Sequence, residues 1–491
     1  MPIGLRQRAT IAIRWTLLAS VVTASTQLLQ LVVLARFLSP DEFGLVGMLL
    51  IVVAFARSFT DLGLSAALIH RRDVNHAERS SLYWLNVLAG SVLFILALAA
   101  VPLVERIFAE PRLGPYLRVI SVIFIIVPVG VQFEVLLQKE LSFRQLGAIE
   151  SVTAAAGAAT TIIGTIAGFG LWAFVAGTVV MHGLKAAGLL NLGIRRFRPS
   201  LRMHLGETRS YLAFGVYQLG ERALNFLRDR VDQLLVGVTL GTVALGFYSL
   251  AWNVTMQPIS RINPIVTRVA FPALAAVQDS PERLRRGYLD MVQLLTTLNA
   301  PLLLGLLAVA PTFIPAVFGS RWDDSVVLVQ LLCLVALART VFNPMGSLAL
   351  ARGRPDMSFK WTFFAAVVTI IAVMVGAKTG GTTAVALALA CLYGALQVLA
   401  FLFLIRPLIH VGARRYAGAI AKPIALAGAM AGTVGLVQVV GPTMSLGVLS
   451  AVQIGTGAIV YGAAVRWLEP RLFAELRGAL TRRSQAVPLR S

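Results

Sequence analysis

Charge is scarce in this sequence, and acid scarcer than base. Charged residues fill 13% of the 491 positions, with 22 Asp and Glu against 43 Lys and Arg. A soluble globular domain carries roughly 25% charged residues, so an ordinary soluble fold is excluded. Cysteine is nearly missing. Cys333 and Cys391 both sit in apolar runs, which predicts buried thiols and no disulfide. There is no His-Glu-x-x-His, no clustered Cys and His, and no Gly-x-x-x-x-Gly-Lys-Ser/Thr loop, so neither a metal nor ATP has a motif to hold it. No cofactor is expected. Asp323-Asp324 is a two-acid match without specificity. No polar stretch is long enough to fold as a catalytic domain, which argues against an enzyme.

What the chain has in abundance is apolar length: 57% of residues are hydrophobic and mean hydropathy is +0.80. A helix needs about 20 residues to cross the hydrocarbon. Fourteen runs meet that need, at approximately 14–37, 43–69, 80–104, 113–138, 143–168, 171–193, 210–239, 244–274, 288–318, 325–350, 359–378, 381–405, 417–440 and 443–466. The first run follows Arg6, Arg8 and Arg14 and contains Gln27 and Gln30, and it continues to Arg36. It reads as a retained first span, longer than a cleaved leader. The expected fold class is an all-α polytopic membrane protein.

Basic residues orient the spans. Of the 43, 29 fall in alternate loops and at the two ends, and 4 (Arg106, Arg112, Arg321 and Lys378) in the loops between. Cytoplasmic loops are the basic ones, so both termini are expected in the cytoplasm and the span number is expected to be even. The same asymmetry accounts for the net charge of +21 without any nucleic-acid partner.

An internal repeat is visible. Leu38-Ser39-Pro40-Asp41-Glu42-Phe43-Gly44 lies between spans one and two, and Leu240-Gly241-Thr242-Val243-Ala244-Leu245-Gly246 between spans seven and eight. Leu38 matches Leu240 and Gly44 matches Gly246 at an offset of 202 residues. The expected organisation is an N-lobe of six spans at 1–194, a basic cytoplasmic linker at 195–209 and a second six-span lobe at 210–406. Two further spans follow at 407–467, and then a basic tail at 468–491 that forms a short interfacial helix. Two related lobes around a central cavity, with the binding site between repeats, is a recurrent transporter plan.

The stretch Tyr211–Thr239 organises the functional reading. It is apolar enough to cross a bilayer, yet Gln218, Glu221, Arg222, Asn225, Arg228, Asp229, Asp232 and Gln233 fall within about 140° of helical arc. Charges inside a span are costly and face a bundle interior or a water-filled cavity. Elsewhere at mid-depth, Arg57 and Asp61 stand one turn apart in span two. Asn253, Gln257, Ser260, Arg261 and Arg268 share a face of span eight, which holds no acid. Arg339 stands one turn before Asn343 in span ten, and span six carries His182 and Lys185. Three arginines and three acids in span seven can also cancel one another and lock helices together. Arg36, Arg118 and Arg268 are placed to snorkel to the interface, and His182 alone reads as a packed polar residue. The arginine fork donates two parallel hydrogen bonds and stays charged, which suits a phosphate. The candidate binding and translocation residues are Arg57, Asp61, Arg222, Asn225, Arg228, Asp229, Asp232, Arg261 and Arg339.

Three stretches carry a family likeness: ARFLSPDEFGLVGM from Ala35 to Met48, RDRVDQLLVG from Arg228 to Gly237 and LGFYSLAWNV from Leu245 to Val254. In this order and spacing the chain resembles the polysaccharide exporters, or Wzx-type flippases, of the multidrug/oligosaccharidyl-lipid/polysaccharide superfamily. The resemblance implies two six-helix lobes around a cationic cavity in a bacterial inner membrane. It also implies alternating access that moves an undecaprenyl-pyrophosphate-linked oligosaccharide, alongside a polysaccharide polymerase and co-polymerase. By the same resemblance the lumen arginines map onto Arg57, Arg222, Arg228 and Arg261, while Asp229 and Asp232 depart from a purely cationic lumen. Two rival classes remain: a cation-exporting multidrug antiporter, which would favour lumen acids over arginine, and a membrane polymerase or ligase, which would need a larger external loop.

Overall fold

The structure is a computed structural model that describes residues 5–60, 75–140, 142–200, 205–440 and 444–468. Within those ranges the side chains of 5–14, 16–18, 57–60, 205–225, 227–228, 265, 268–269 and 440 lie outside the described set. The described residues are almost entirely helical, with no strand among them. In chain order these are α1 (Leu5–Phe37), α2 (Pro40–Thr60), α3 (His76–Phe108), α4 (Leu113–Ile120), α5 (Ile123–Lys139), α6 (Phe143–Ile166) and α7 (Leu171–Ile194). They continue with α8 (Leu205–Ala275), α9 (Pro281–Phe318), α10 (Asp324–Phe342), α11 (Met345–Ala351), α12 (Pro355–Ala400), α13 (Arg406–Ile409), α14 (Ala413–Val440) and α15 (Leu446–Leu468).

Among the described residues, 11 helical segments are long and apolar enough to cross a membrane. The expected count of fourteen differs for identifiable reasons. Pro355–Ile409 counts once, although it contains the eleventh and twelfth runs, joined at Gly380 and Gly381, where the backbone leaves the helical region. Asp229–Pro264 likewise joins the seventh and eighth runs. Its break is Gly241, whose φ of 83° is one that L side chains rarely adopt. The second run extends into residues outside the described set, as does the whole of the expected tail helix. The turn after Ile166 does separate two helices, and α14 and α15 are likewise distinct.

One expectation is corrected. Both thiols are free and Cys333 is buried, but Cys391 is exposed. In a membrane protein apolar surface faces lipid as readily as core, so an apolar run does not by itself bury its cysteine.

The chain divides into two compact units, Met1–Gly246 and Phe247–Ser491. In the first, α6 packs along α1 and α7, and α7 along α5. Close helix approach is made by small residues: Gly147 lies against Trp15 and Ala19, and Gly157 against Gly177 and Met181. Gln30 of α1 donates to Thr161 of α6 (3.3 Å), so one polar residue of span one is used between helices. In the second unit α9 packs against α10, α14 and α15. The last two helices are fastened to it by polar contacts. Buried Gln453 accepts from Thr312 Oγ1 (2.6 Å) and donates to the Val434 carbonyl (3.2 Å). The Tyr461 hydroxyl donates to the Thr297 carbonyl (2.8 Å).

Candidate translocation site

The organising stretch is helical throughout, as the first part of α8. At its middle Phe226 meets Phe55 of α2 edge-on, with ring centroids 5.2 Å apart. That contact brings together the two segments that carry Arg57 on one side and Arg222, Asn225, Arg228, Asp229 and Asp232 on the other. The side chains of Arg57, Arg222, Asn225 and Arg228, and all of Asp61, lie outside the described residues. So does the side chain of Arg268. Asp229 is half-buried and Asp232 buried. One Asp232 oxygen accepts from the backbone N–H of Gln233 (2.9 Å), and Gln233 accepts from Arg230 Nη1 (2.7 Å).

In the second unit, the polar face of span eight is wired along its own helix. Asn253 donates to the Ser249 carbonyl (2.8 Å), Gln257 to Asn253 (3.2 Å) and the Ser260 hydroxyl to the Gln257 carbonyl (2.7 Å). Arg261 ends this row with its side chain exposed. Two residues beyond Arg261, Asn263 accepts from buried Asn299 of α9 (3.1 Å). Arg339 of α10 is half-buried and sets its guanidinium over the ring of Tyr393 in α12, 5.7 Å from the centroid. A turn later, the buried Oδ1 of Asn343 has no hydrogen-bond partner among the described residues.

Two charged assemblies escape sequence reading. The first lies at helix ends that the charge count assigns to the outside. Ser39 and Glu42 form a reciprocal cap at the start of α2: Glu42 accepts from the Ser39 N–H (2.9 Å), and the Ser39 hydroxyl accepts from the Glu42 N–H (3.2 Å). Arg112 then grips two carboxylates, donating to both oxygens of Asp41 (2.7 and 3.2 Å) and both of Glu110 (2.7 and 2.8 Å). Hydrogen bonding from Arg112 holds the Asp41 and Glu110 carboxyls below their ordinary pKa values. The Thr242 hydroxyl also donates to Asp41.

This is the place where the repeat-related hairpins cross. A Cβ at Gly44 would overlap the carbonyl oxygen of Thr242 and stand 2.6 Å from its carbon. A Cβ at Gly246 would overlap the carbonyl oxygen of Pro40 and stand 2.9 Å from its carbon. At the 202-residue offset Gly44 corresponds to Gly246 and Pro40 to Thr242, so the crossing is reciprocal.

The second assembly is an ion triad within the spans of the first unit. Lys185 of α7 lies 3.0 Å from Glu134 of α5 and 3.7 Å from Glu150 of α6. Lys185 is visible in the sequence as a basic residue in a span, but nothing in its spacing indicates two acids from other helices. His182 is buried three residues before it.

Long apolar helices, intramembrane arginines and a pseudo-symmetric helix crossing define a multi-pass helical membrane protein of the transporter type. The chain belongs to the family described as polysaccharide biosynthesis protein, which it matches over residues 33–327. It is 33% identical over 415 residues to the lipopolysaccharide biosynthesis protein WzxC of Escherichia coli (strain K12), covering 84% of each chain. It is 31% identical over 422 residues to the teichuronic acid biosynthesis protein TuaB of Bacillus subtilis (strain 168), covering 85% of this chain and 86% of that one. Its fold matches the lipid II flippase MurJ in an inward closed conformation, with a TM-score of 0.70 at 13% identity, over 95% of this chain and 100% of that one.

Proposed function

We propose that this protein is a flippase that carries an undecaprenyl-pyrophosphate-linked oligosaccharide from the cytoplasmic to the outer leaflet of the bacterial inner membrane, leaving it chemically unchanged. The observation that carries this is the meeting of α2 and α8 at Phe55 and Phe226, which gathers the arginine-bearing segments of spans two and seven. A pyrophosphate cannot shed its hydration in hydrocarbon unaided, and arginine forks replace that hydration. Arg57, Arg222, Arg228 and Arg261 are the proposed grips, with Asn225 and Arg339 lining the path. Asp61, Asp229 and Asp232 hold arginines in place. The relatives' names refer to lipopolysaccharide and teichuronic acid biosynthesis, and the fold neighbour is titled a lipid II flippase. A lipid-linked glycan is the cargo we infer from these names taken together.

In this reading both termini are cytoplasmic, the lobes are 1–194 and 210–406, and the hairpin crossing at Gly44 and Gly246 closes the outer side during cytoplasmic loading. A polymerase and its co-polymerase receive the cargo. The test is deletion of the gene followed by mass analysis of the lipid fraction. A polyprenyl-pyrophosphate glycan should accumulate on the cytoplasmic face, and its failure to do so would sink the proposal.

A further inference from the structure

The Glu134–Lys185–Glu150 triad has no part in gripping cargo as argued so far, and its charge does not balance. Lys185 stands about nine residues before the end of α7, Glu150 about seven after the start of α6 and Glu134 about five before the end of α5. At 1.5 Å per residue all three lie roughly 8–14 Å inside their helices. Two carboxylates and one ammonium carry a net charge of −1 in a region where uncompensated charge is expensive.

Among the described side chains, two neighbouring cations are engaged elsewhere. Arg196 pairs with Glu140 (3.1 Å) and donates to Gln145 (2.7 Å), and Arg144 lies over Trp15. Of the described side chains on α1, which packs against α6, the one charged group is Arg36, at the opposite end. His182 is the other titratable group on this part of α7. Among the described groups, Lys185 and Glu134 are the charges that bear on Glu150.

We infer that this triad is a proton-binding site, in which Glu150 takes up and releases one proton while Lys185 and Glu134 keep a fixed ion pair. The geometry assigns the proton to Glu150: its contact to Lys185 is the longer, 3.7 Å against 3.0 Å, and its side chain is 39% exposed against 23% for Glu134. A water-borne proton adds to a Glu150 carboxylate oxygen, the triad becomes neutral, and release restores the charge. Two acids sharing one cation titrate as a unit, so removing either acid abolishes the exchange. Coupling of this proton to export rests on the flippase reading; the site itself does not.

The test is a pH titration of the purified full-length protein by infrared difference spectroscopy, from about pH 5 to 9. Wild type should show one protonated-carboxyl stretch that disappears as pH rises. Glu150→Gln should lose that band yet keep wild-type abundance, because Gln copies the neutral form and leaves the Lys185–Glu134 pair whole. Glu134→Gln should lose it too, since the remaining Lys185–Glu150 pair is neutral without a proton. A wild-type titration identical to that of both variants overturns the site. The titration needs no cargo. A band lost in the variants while the deletion strain accumulates no lipid-linked glycan would uphold the proton site and refute the flippase.

Discussion

Replacing Gly44 by alanine puts a methyl group where the Thr242 carbonyl already is. The new Cβ overlaps the oxygen and stands 2.6 Å from the carbonyl carbon, against 3.4–4 Å for an ordinary contact. The obstacle is backbone on both sides, so no rotamer relieves it, and the two segments must part by roughly an ångström. Overpacking of this kind costs about 1–3 kcal/mol, which is roughly 5- to 150-fold in the equilibrium between the crossed and parted arrangements. Gly246→Ala meets Pro40 in the same way, so it should cost a similar amount. The double variant should cost less than the two together, because one separation relieves both clashes.

The assay is labelling of whole cells with a membrane-impermeant maleimide. The reporter is Val46→Cys, at a side chain only 3% exposed, in a Cys391→Ser background because Cys391 is the exposed native thiol. Labelling should be slow with Gly44 intact and faster by the factor above with Gly44→Ala. The control is Gly428→Ala, where an added Cβ meets nothing within 4 Å. A helical Gly→Ala change there should be neutral or stabilising by roughly 0.5–1 kcal/mol. Labelling and melting temperature for Gly44→Ala equal to this control would refute the crossing.

Three further outcomes are expected. Arg112→Ala should speed labelling of the same reporter less than Gly44→Ala does, since Arg112 is 53% exposed and exposed ion pairs contribute about 0–1 kcal/mol. The carboxyls of Asp41 and Glu110 have lowered pKa values, so their contribution is complete above the ordinary carboxylate range and is lost as pH falls through the lowered values. The melting temperature of the purified protein should therefore lose nothing from this source between neutral pH and about 5, and fall on this account only below about 4. Arg261→Ala should weaken cargo binding about 10- to 150-fold, the loss of a charge-assisted contact of roughly 1.5–3 kcal/mol, and Arg261→Lys should weaken it less. Because the Arg261 side chain is exposed, abundance should stay near wild type, and normal export by Arg261→Ala would remove it from the site. Reporter fusions after Gly319 and Val440 should read as external and one after Arg286 as cytoplasmic; a cytoplasmic signal at Gly319 would reverse the orientation around α9 and α10.

The helices were legible because each is written locally. Apolar length marks the spans, and glycines mark the breaks. The crossing was half legible. The offset pairs Gly44 with Gly246, but only the fold shows that each meets the residue equivalent to the one the other meets. The contact of Phe55 with Phe226 has no local signature at all, yet the polar stripe beside Phe226 and the Arg57–Asp61 pair beside Phe55 each pointed to a site. The Asp41 arm of the Arg112 clamp and the Lys185 triad were invisible for one reason: their members are far apart in the chain, and neither periodicity nor spacing links residues that meet only through packing. Cys391 failed differently, because lipid rewards apolar exposure and breaks the link between hydrophobic context and burial.

The scarcity of acid acquires a structural meaning once its positions are traced. In the first unit Asp41 and Glu110 are held by Arg112, Glu134 and Glu150 by Lys185, and Glu140 by Arg196. Each of these acids is engaged by a cation outside the candidate site. The acids left within reach of Arg57, Arg222 and Arg228 along their own helices are Asp61, Glu221, Asp229 and Asp232, and span eight offers Arg261 none. The chain has 22 acids for 43 bases, and the five engaged ones are committed to helix ends and to the proposed proton site. In the proposed function the arginines of spans two, seven and eight line the path. A pyrophosphate supplies the charge such a path lacks, whereas a cationic drug would meet repulsion at every arginine along it.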